Sequence, residues 1–338
     1  MEDNNISVVA GSADAAIASE GVTPPKKKIN KAKLHENLWG WAFVALLVIG
    51  TTVFVYISFI MSVMLSFTDY TGRGGTFWEA LGTIHPDGAF TWYKEMFKPE
   101  VMGVGGDAQY VWGTMLSTCF YLIGIPIGMV LSLFFSVLMS RDIKFSGTFR
   151  VIYYIPTVSS TVSISLMWSN LFAQGGLIAE MLDMVFLAGA TTLAQRSCII
   201  ILTVWKGLGG TIVLFVAGLN GVNESHCEAA DIDGANAWQI FWHIKMPQIY
   251  PTIFYVLVTS VIGGMQIYAE PALVFGDWGG AGGSIATKDN TPFVGYIYGV
   301  FNADHEWAHA SALGIVLAII IFILTLVQFA LDSRRDKE

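Results

Sequence analysis

The stretch EAADIDGANAWQIFWHIKMP, residues 228–247, lies between two long apolar segments, and the rest of the chain is organised around it. Ser225 followed by Glu228 has the spacing of a capping box, which predicts that a helix starts there. Gly234 suits the left-handed conformation that ends a short helix, and a second helical stretch should then stop at Pro247. This second stretch puts aromatic residues and a lysine on one face, namely Trp238, Phe241, Trp242 and Lys245. We therefore predict a compact helix-turn-helix on the membrane surface, with an acidic first arm and an aromatic second arm.

The composition is that of a membrane protein. Of 338 residues, 54% are hydrophobic and 13% are charged, so a single water-soluble core is a poor description. The net charge of -8 does not indicate a nucleic-acid partner. The three cysteines have neither metal-like nor disulfide-like spacing, and we interpret them as packing residues. Because a long polar stretch precedes the first apolar run, we expect no signal peptide.

Apolar segments predict an all-α integral membrane protein with six transmembrane helices, at about residues 38–67, 110–138, 151–172, 198–219, 249–275 and 310–331. Pro126 should kink the second of these helices. Residues 1–34 are polar and are interpreted as a disordered cytoplasmic tail, which leaves 35–338 as the transmembrane domain with its loop at 223–247. Of the 18 Lys and Arg residues, most fall on one side of this arrangement, which predicts that both ends are cytoplasmic.

The stretch at 228–247 resembles the cytoplasmic coupling loop, the EAA loop, of bacterial ABC importer permeases. The family pattern is Glu-Ala-Ala, three residues, Gly, nine residues, Ile, any residue and Leu-Pro, and the matching positions here are Glu228, Ala229, Ala230, Gly234, Ile244 and Pro247. Met246 stands where Leu is usual, which is a volume-conserving change. Without the resemblance, the same residues describe an ordinary capped helix in a membrane loop, with Glu228 capping its own backbone.

Further short motifs are similar to the maltose-permease, or MalF-like, branch of carbohydrate importers. They are Ser66–Asp69, Phe149–Arg150, Tyr154–Pro156, Met167–Trp168, Gly218–Asn220, Asp233–Ala235, Tyr296–Tyr298 and Phe301. The likeness covers about residues 38–332. The outer loop departs from it, with Gly-Gly-Ala at 279–281 where Gly-Gly-Pro is common, and the chain lacks the ending of the MalG-like partner permease. The resemblance therefore implies the type I importer fold and the MalF-like half of a heterodimer.

The resemblance also implies partners and a location in the bacterial cytoplasmic membrane, in contact with lipid. Two ATP-binding subunits would dock on two coupling loops, one from this chain and one from a second, MalG-like permease. An extracytoplasmic solute-binding protein would deliver a sugar or oligosaccharide. Because the chain has no Gly-x-x-x-x-Gly-Lys-Ser/Thr run, we expect a non-catalytic subunit that binds neither cofactor nor metal, with ATP and Mg²⁺ on the partner ATPase.

Polar residues at membrane depth are candidates for the substrate path, because such groups should face a cavity or another protein surface. These candidates are Lys206, Ser260, Gln266, Tyr268 and Glu270, with Trp205 as a stacking surface for the apolar face of a sugar. In the family, sugar contacts come mainly from the equivalents of the fourth and fifth spans, which adds Thr203, Gly207, Gly210, Gly263, Gly264 and Ile267. Each residue could instead serve helix packing or anchoring, and Lys206 and Glu270 could pair across the outer ends of their spans.

Three other functions stay open at this point. A glycerol-phosphate ester is a competing substrate that a basic pocket would favour, and Lys206 is its one support. An ion-coupled secondary transporter would more often show internal repeats, and we see no clear repeat. An intramembrane enzyme would need a nucleophile, an acid/base pair or a metal site. His305 and His309 stand four apart but lack the His-Glu-x-x-His pattern, so we predict interfacial roles for them.

Overall fold

The computed structural model describes residues 31–72, 76–80, 83–97, 107–140, 146–183, 186–187, 189–276, 289–302 and 305–335. Two compact units divide the chain, Met1–Phe59 and Ile60–Glu338. In the first unit, the described residues form α1 (Lys31–Thr51) and a π-helical turn (Thr52–Ile57). Residues 1–30 of the predicted tail lie outside the described residues, as does the outer glycine-rich segment 279–283.

Every regular element in the described part of the chain is helical, in agreement with the predicted all-α class. The helices that follow the first π-helical turn are α2 (Ser58–Leu65), α3 (Phe77–Ala80), α4 (Thr91–Met96), α5 (Asp107–Tyr121), α6 (Gly124–Met139), α7 (Ser146–Val158), α8 (Thr161–Phe172), α9 (Leu177–Leu182), α10 (Thr192–Asn220), α11 (Glu224–Ile232), α12 (Ala237–Ile240), α13 (Met246–Met265), α14 (Ala269–Phe275), α15 (Phe293–Asn302) and α16 (Trp307–Arg335). A second π-helical turn, Phe241–Lys245, joins α12 to α13.

Within the described residues, five helical stretches are long and apolar enough to cross a membrane: Phe43–Leu65, Tyr110–Met139, Thr192–Asn220, Ala237–Met265 and Trp307–Arg334. A bent pair of helices, Gly147–Val158 and Thr161–Phe172, makes a sixth crossing if the pair counts as one span. Large apolar side chains on these stretches are exposed, among them Phe54, Leu116 and Phe322. Such side chains are the surface that lipid would cover. The predicted six spans thus correspond to five continuous stretches and one bent pair.

The third predicted span, 151–172, is wrong as a single helix, because α7 and α8 meet at an angle of 94°. Pro156 lies inside α7 and cannot donate a backbone hydrogen bond there. Ser159 Oγ donates to the Ile155 carbonyl oxygen at 2.7 Å, and Ser160 has an extended ψ of 126°. Helix α7 ends two residues after this proline, and the extended backbone at Ser160 turns the chain before α8 begins.

The fifth predicted span, 249–275, is also wrong as a single helix. Its helical stretch begins earlier, at Ala237, and ends at Met265, after which α14 starts at Ala269. Gln266 N and Ile267 N donate to the carbonyl oxygens of Gly263 and Gly264, at 3.1 and 3.3 Å. These shorter i to i−3 bonds close the end of α13, and Tyr268 then leaves helical geometry with φ −146°.

The kink predicted at Pro126 is present as a break between α5 and α6. Pro126 has no N–H with which to bond the Leu122 carbonyl oxygen, and Ile125 N donates to that oxygen instead, at 2.9 Å. The α-helical ladder is thereby interrupted at 122–123, and α6 starts at Gly124.

Helix α10 is the central helix of the second unit and packs against α6, α7 and α13. Its outer part contributes Cys198, Ile199 and Leu202 to a buried cluster that also holds Trp168 of α8 and Phe275 of α14. Burial of such side chains contributes roughly 1.5–3 kcal/mol each, so this cluster fixes α8 and α14 against the outer part of α10. Helices α8 and α14, which follow the interruptions of the helix at 159–160 and 266–268, are therefore held against the same part of α10.

Helix α15 was not predicted, and polar side chains of α5 and α10 anchor its start. Arg196 Nε donates to the Asp289 carbonyl oxygen at 2.7 Å, and Arg196 Nη2 donates to Ser117 Oγ at 2.9 Å. Phe293 N donates to Thr118 Oγ1 at 2.8 Å, which satisfies an otherwise unpaired N–H in the first turn of α15.

Candidate coupling loop and translocation cleft

The first arm of the loop at 223–247 is α11, and its N-cap is Asn223. Asn223 Oδ1 accepts from Ser225 N at 3.1 Å and from Ser225 Oγ at 2.8 Å. The predicted capping box between Ser225 and Glu228 was wrong, because Asn223 supplies the acceptor two residues earlier and Ser225 is itself a donor inside the helix. Asn223 N also donates to Gln248 Oε1 at 3.2 Å, so the start of this arm is fixed to the first turn of α13.

The turn between the two arms follows the prediction. Gly234 has φ +83°, which confirms the left-handed conformation expected there. Ala235 N donates to the Ala230 carbonyl oxygen at 2.9 Å, the bond that closes a Schellman-type helix end. A Cβ atom at 234 would meet nothing within 4 Å. Glycine is therefore needed at this position for its backbone conformation and not for space.

The second arm begins at Asn236, which forms a capping box with Gln239. Gln239 N donates to Asn236 Oδ1 at 2.9 Å, and Asn236 N donates to Gln239 Oε1 at 2.8 Å. Beyond this cap, Trp238 lies edge-on to Trp242 with ring centroids 5.6 Å apart. The predicted aromatic face is thus present, and Trp238 keeps 70% of its surface exposed.

Pro247 does not end the second arm, which is a correction to the sequence interpretation. It lies in the first turn of α13, where the missing N–H of proline costs little. The π-helical turn Phe241–Lys245 precedes it, and the N–H of Met246 reaches back to the Phe241 carbonyl oxygen. A π-type insertion changes the hydrogen-bond register, so the proline is accommodated and the helix runs on from the loop into the membrane.

The residues that match the EAA pattern share one surface property, which is exposure or partial exposure. Exposed are Glu228, Ala229, Gly234 and Pro247, and partly buried are Ala230 and Ile244. Ile232, next to this set, keeps 86% of its surface exposed. Large apolar side chains left exposed beside carboxylates on a polar loop are typical of a docking surface.

A cleft of about 480 Å³ lies among α6, α10, α13 and the chain from Gln266 to the first turn of α14. It brings together most of the residues predicted for the substrate path, namely Thr203, Gly207, Ser260, Gly263, Gly264, Gln266, Ile267, Tyr268 and Glu270. These residues come from the fourth and fifth predicted spans.

Sequence analysis missed several residues of the cleft, chiefly on α6. Gly124, Gly128 and Ser132 recur every four residues along α6 and line one wall. Thr211 repeats the same spacing on α10, four residues after Gly207. A stripe of small and hydroxyl side chains at i, i+4 and i+8 on a transmembrane helix is the signal that could have found these walls.

Ser132 differs from the other buried hydroxyls of α6. Its Oγ is buried and has no hydrogen-bond partner within the described residues, although the side chain lines the cleft. One turn further on, Ser136 Oγ donates to the Leu133 carbonyl oxygen at 2.7 Å. An unpaired buried hydroxyl costs roughly 1–3 kcal/mol, and the Ser132 side chain is fully buried in the wall of the cleft.

The structure does not bring Trp205 or Lys206 to the surface of the cleft. The Trp205 ring lies against Trp168 with centroids 5.5 Å apart. Lys206 Nζ donates to Glu270 Oε1 at 2.8 Å and to Thr161 Oγ1 at 2.6 Å. Lys206 and Glu270 therefore form an ion pair, which is the alternative that the sequence left open for them.

No group of three or more His, Cys, Asp and Glu that could hold a metal ion is found among the residues that the structure describes. His309 stacks on Trp92 with ring centroids 4.9 Å apart, and its Nδ1 lies 3.0 Å from Glu306 Oε2. This histidine is buried in packing between α4 and α16.

Comparison with known proteins identifies the family. Residues 124–337, well over half of the chain, match the family described as "Binding-protein-dependent transport system inner membrane component". The probable ABC transporter permease YesP of Bacillus subtilis is 29% identical over 313 residues, which are 90% of this chain and 94% of the relative. The lactose transport system permease LacF of Rhizobium radiobacter is 25% identical over 88% of this chain and 95% of the relative. The arabinooligosaccharides permease AraP of Bacillus subtilis is 30% identical over 66% of this chain and 71% of the relative.

Solved structures show the same fold. A bacterial alginate ABC transporter, in complex with an alginate pentasaccharide-bound periplasmic protein, has a chain that aligns with a TM-score of 0.70 at 18% identity. The alignment covers 90% of this chain and 96% of that chain. The predicted type I importer fold is therefore confirmed.

The helical spans, the capped loop and the polar cleft define a membrane permease subunit of an ABC importer. The chain belongs to the family of binding-protein-dependent transport system inner membrane components. This membership confirms the predicted resemblance and the predicted location in the bacterial cytoplasmic membrane.

Proposed function

We propose that this chain forms one half of the path by which an ATP-driven importer moves a neutral sugar or oligosaccharide into the cell. The observation that carries the proposal is the chemistry of the cleft. Thr203, Ser260 and Gln266 offer hydroxyl and amide groups, and Tyr268 adds an aromatic face beside the carboxylate of Glu270. Hydroxyl, amide and carboxylate groups pair with sugar hydroxyls, and an aromatic ring covers the apolar face of a sugar ring.

The names of the relatives support the same substrate class. Permeases for lactose, for arabinooligosaccharides and for trehalose and maltose align with 88%, 66% and 91% of this chain. A polar, uncharged and elongated solute is common to all three. We extend that substrate class to this chain because the cleft lining fits it.

In this proposal the loop at 223–247 transmits force from the ATPase. Two ATP-binding subunits hydrolyse ATP with Mg²⁺, and one of them docks on the surface formed by Glu228, Ala229, Ala230, Gly234, Ile244 and Pro247. A second permease supplies the other half of the path, and an extracytoplasmic binding protein delivers the sugar. The chain itself performs no catalysis and holds no cofactor. ATP binding shifts the equilibrium between two conformations only if the ATPase contacts the loop differently in each.

A glycerol-phosphate ester fits the cleft less well. Phosphate recognition relies on Arg, Lys or backbone N–H groups that are free to bond it. Lys206, the cation beside the cleft, is already paired with Glu270. An anionic solute would therefore meet a carboxylate and not an available ammonium group.

The test is uptake by the assembled transporter in proteoliposomes, with the second permease, the ATPases and the binding protein that co-purify with this chain. We expect ATP-dependent uptake of at least one labelled neutral sugar among lactose, maltose and arabinotriose, and none of glycerol 3-phosphate. Uptake of glycerol 3-phosphate alone, or uptake driven by an ion gradient without ATP, would contradict the proposal.

A matched pair of variants links the uptake to the cleft. Ser260→Ala removes a partly exposed hydroxyl from the lining of the cleft and should raise KM for the imported sugar about threefold to tenfold with kcat unchanged, as for the loss of one hydrogen bond. Ser136→Ala makes the same change outside the lining, at a buried hydroxyl bonded to its own helix, and should leave KM unchanged. Equal effects of the two variants would mean that Ser260 does not contact the sugar.

A further inference from the structure

We propose that Glu270 and Lys206 form a charge filter that admits neutral saccharides to the cleft and rejects acidic ones. The inference rests on the proposed function, because it narrows the substrate from sugars in general to sugars without a negative charge. It assigns specificity to a pair of residues of which one faces the solute and the other does not.

The two members of the pair differ in their relation to the cleft. Glu270 lines the cleft, whereas Lys206 does not. Lys206 Nζ bonds Glu270 Oε1 at 2.8 Å and Thr161 Oγ1 at 2.6 Å. A solute in the cleft therefore meets Glu270, and Lys206 acts on it through the ion pair with that residue.

Within the described lining of the cleft, no positively charged residue offsets the Glu270 carboxylate. Its residues include no Lys, Arg or His, and Glu270 is their one acidic member. The two side chains keep 16% and 19% of their surface exposed, so both charges are partly removed from water. Charges in such surroundings interact more strongly than charges in bulk solvent, because the effective dielectric constant is lower.

The backbone that carries the pair is also held in place. The Lys206 carbonyl oxygen accepts from Thr157 Oγ1 at 2.8 Å, and Thr157 Oγ1 in turn accepts from Gly210 N at 3.2 Å. These bonds fix α10 against α7, and Glu270 lies in the first turn of α14, which packs on α10.

The consequence for a solute follows from the charge that it carries. A sugar hydroxyl can donate to the Glu270 carboxylate, which is a charge-assisted hydrogen bond. A sugar carboxylate in the same place has no proton to donate and is repelled by Glu270. The pair thus favours neutral sugars and selects against acidic ones, and specificity of this kind needs the repulsive element as well as the attractive one.

The experiment measures equilibrium binding to the purified complex of both permeases and the ATPases in nanodiscs, without the binding protein, so that the selectivity of that protein does not enter. The probes are matched sugar and aldonate pairs, namely maltose with maltobionate, lactose with lactobionate and cellobiose with cellobionate. Saturation-transfer NMR detects weak binding, and the ratio of the two affinities within a pair is the readout.

The wild-type complex should bind at least one neutral sugar and bind its acid at least about tenfold more weakly. Glu270→Gln leaves the Lys206 ammonium uncompensated and should raise the affinity for the acid about tenfold or more. Lys206→Met/Glu270→Gln removes both charges, so the acid should bind more tightly than in the wild type but less tightly than in Glu270→Gln, while the neutral sugar still binds. A Glu270→Gln variant that gains no affinity for any acid, or a double variant that rejects the acid as strongly as the wild type, would overturn the filter.

A second double variant covers the case in which Glu270→Gln fails to fold, since its lone ammonium group is half-buried. Lys206→Glu/Glu270→Lys keeps an ion pair and reverses its direction, so that the ammonium group faces the cleft. This variant should prefer the acid of the pair, and a retained preference for the neutral sugar would equally overturn the filter.

Failure of the filter is distinguishable from failure of the proposed function. Equal wild-type affinity for a sugar and its acid contradicts the filter and leaves sugar import standing. Absence of binding for every saccharide, together with uptake of a non-saccharide by the full transporter, contradicts the proposed function and removes the filter with it.

Discussion

Gly209 on α10 lies directly against the carbonyl oxygen of Tyr153 on α7, and a Cβ atom at 209 would overlap that oxygen. The obstructing atom belongs to the backbone, so no change of rotamer can make room. Gly209→Ala should therefore push α10 away from α7 and destabilise the protein by about 1–3 kcal/mol, the usual cost of overpacking. Thermal unfolding in detergent, followed by tryptophan fluorescence, measures the loss.

Gly314→Ala on α16 is the matched control for this prediction. A Cβ atom at 314 would meet nothing within 4 Å, and alanine has the higher helix propensity. We expect Tm to be unchanged or slightly raised in this variant. If both variants lowered Tm equally, close contact between α7 and α10 would not be the cause.

Glu228→Lys should weaken docking of the ATPase on the loop and reduce ATP-dependent uptake by about tenfold or more, as for a charge lost from an interface. Glu224→Lys makes the same change of charge on the same face of α11, one turn earlier and outside the EAA pattern. This control should keep most of the uptake. Normal uptake in Glu228→Lys would count against the proposed coupling surface.

Gly234→Val places a β-branched residue at φ +83° and should strain the turn by roughly 1–2 kcal/mol, so that the two arms of the loop separate. Gly234→Asn is the control, because asparagine tolerates the left-handed conformation and space is not limiting at this position. The ratio of sugar imported to ATP hydrolysed should fall in the valine variant only. A similar fall in both variants would mean that the added side chain, and not backbone strain, causes the loss of coupling.

Cys227 on α11 offers a test of topology with the native cysteines. It is partly exposed in the loop, whereas Cys198 is buried and the exposed Cys119 lies within the apolar span Tyr110–Met139. A membrane-impermeant maleimide should label Cys227 in inside-out vesicles and not in right-side-out vesicles, and bound ATPase should slow the labelling. Cys227→Ser identifies the signal. Labelling from the outer face would contradict the predicted cytoplasmic position of the loop and of both chain ends.

Arg196→Met should loosen the start of α15, because it removes the guanidinium donors to the Asp289 carbonyl oxygen and to Ser117 Oγ. Loss of a charged hydrogen bond of about 1.5–3 kcal/mol should speed exchange of the Phe293 amide roughly tenfold or more. Arg196→Lys keeps the positive charge and should give an intermediate rate. Unchanged exchange in the methionine variant would show that the remaining contacts from α5 and α10 hold this segment without the arginine.

The local geometry of the loop could be predicted where one residue type decides it. Gly234 takes the left-handed conformation because glycine carries no Cβ penalty there. The N-cap was misassigned because Asn223 and Ser225 both offer oxygen atoms to the same backbone donors. Spacing alone does not show which of the two residues is the N-cap. The contact of Asn223 with Gln248 joins residues 25 positions apart, which spacing within the loop does not reveal.

The spans could be located from apolar runs, but their directions could not. Ser159–Ser160 and Gln266–Tyr268 lie within or beside apolar segments, so a hydropathy profile does not detect that the helix is interrupted at these two places. Hydropathy measures which residues prefer lipid and carries no information about the axis of the helix. The 94° bend after α7 therefore appears only in three dimensions.

The cleft could be predicted in part because buried polar groups are costly without a partner. That argument selected Gln266 and Glu270, which line the cleft, but it did not select Ser132, since a serine hydroxyl usually bonds its own helix. Trp205 was placed on the path although its ring turns toward Trp168. Neighbouring residues on a helix point about 100° apart, so a small error in the predicted rotation of the helix about its axis assigns a packing residue to the cleft.

The continuity of α12, the π-helical turn and α13 has a mechanical consequence. From Ala237 to Met265 the chain forms one rod of 29 residues, roughly 44 Å long at 1.5 Å per residue. One end carries the exposed Trp238, and the other carries Ser260 and Gly264 on the wall of the cleft. In the proposed mechanism, displacement of the loop would therefore move the wall of the cleft through one continuous helical stretch, which ends where the helix is interrupted at 266–268.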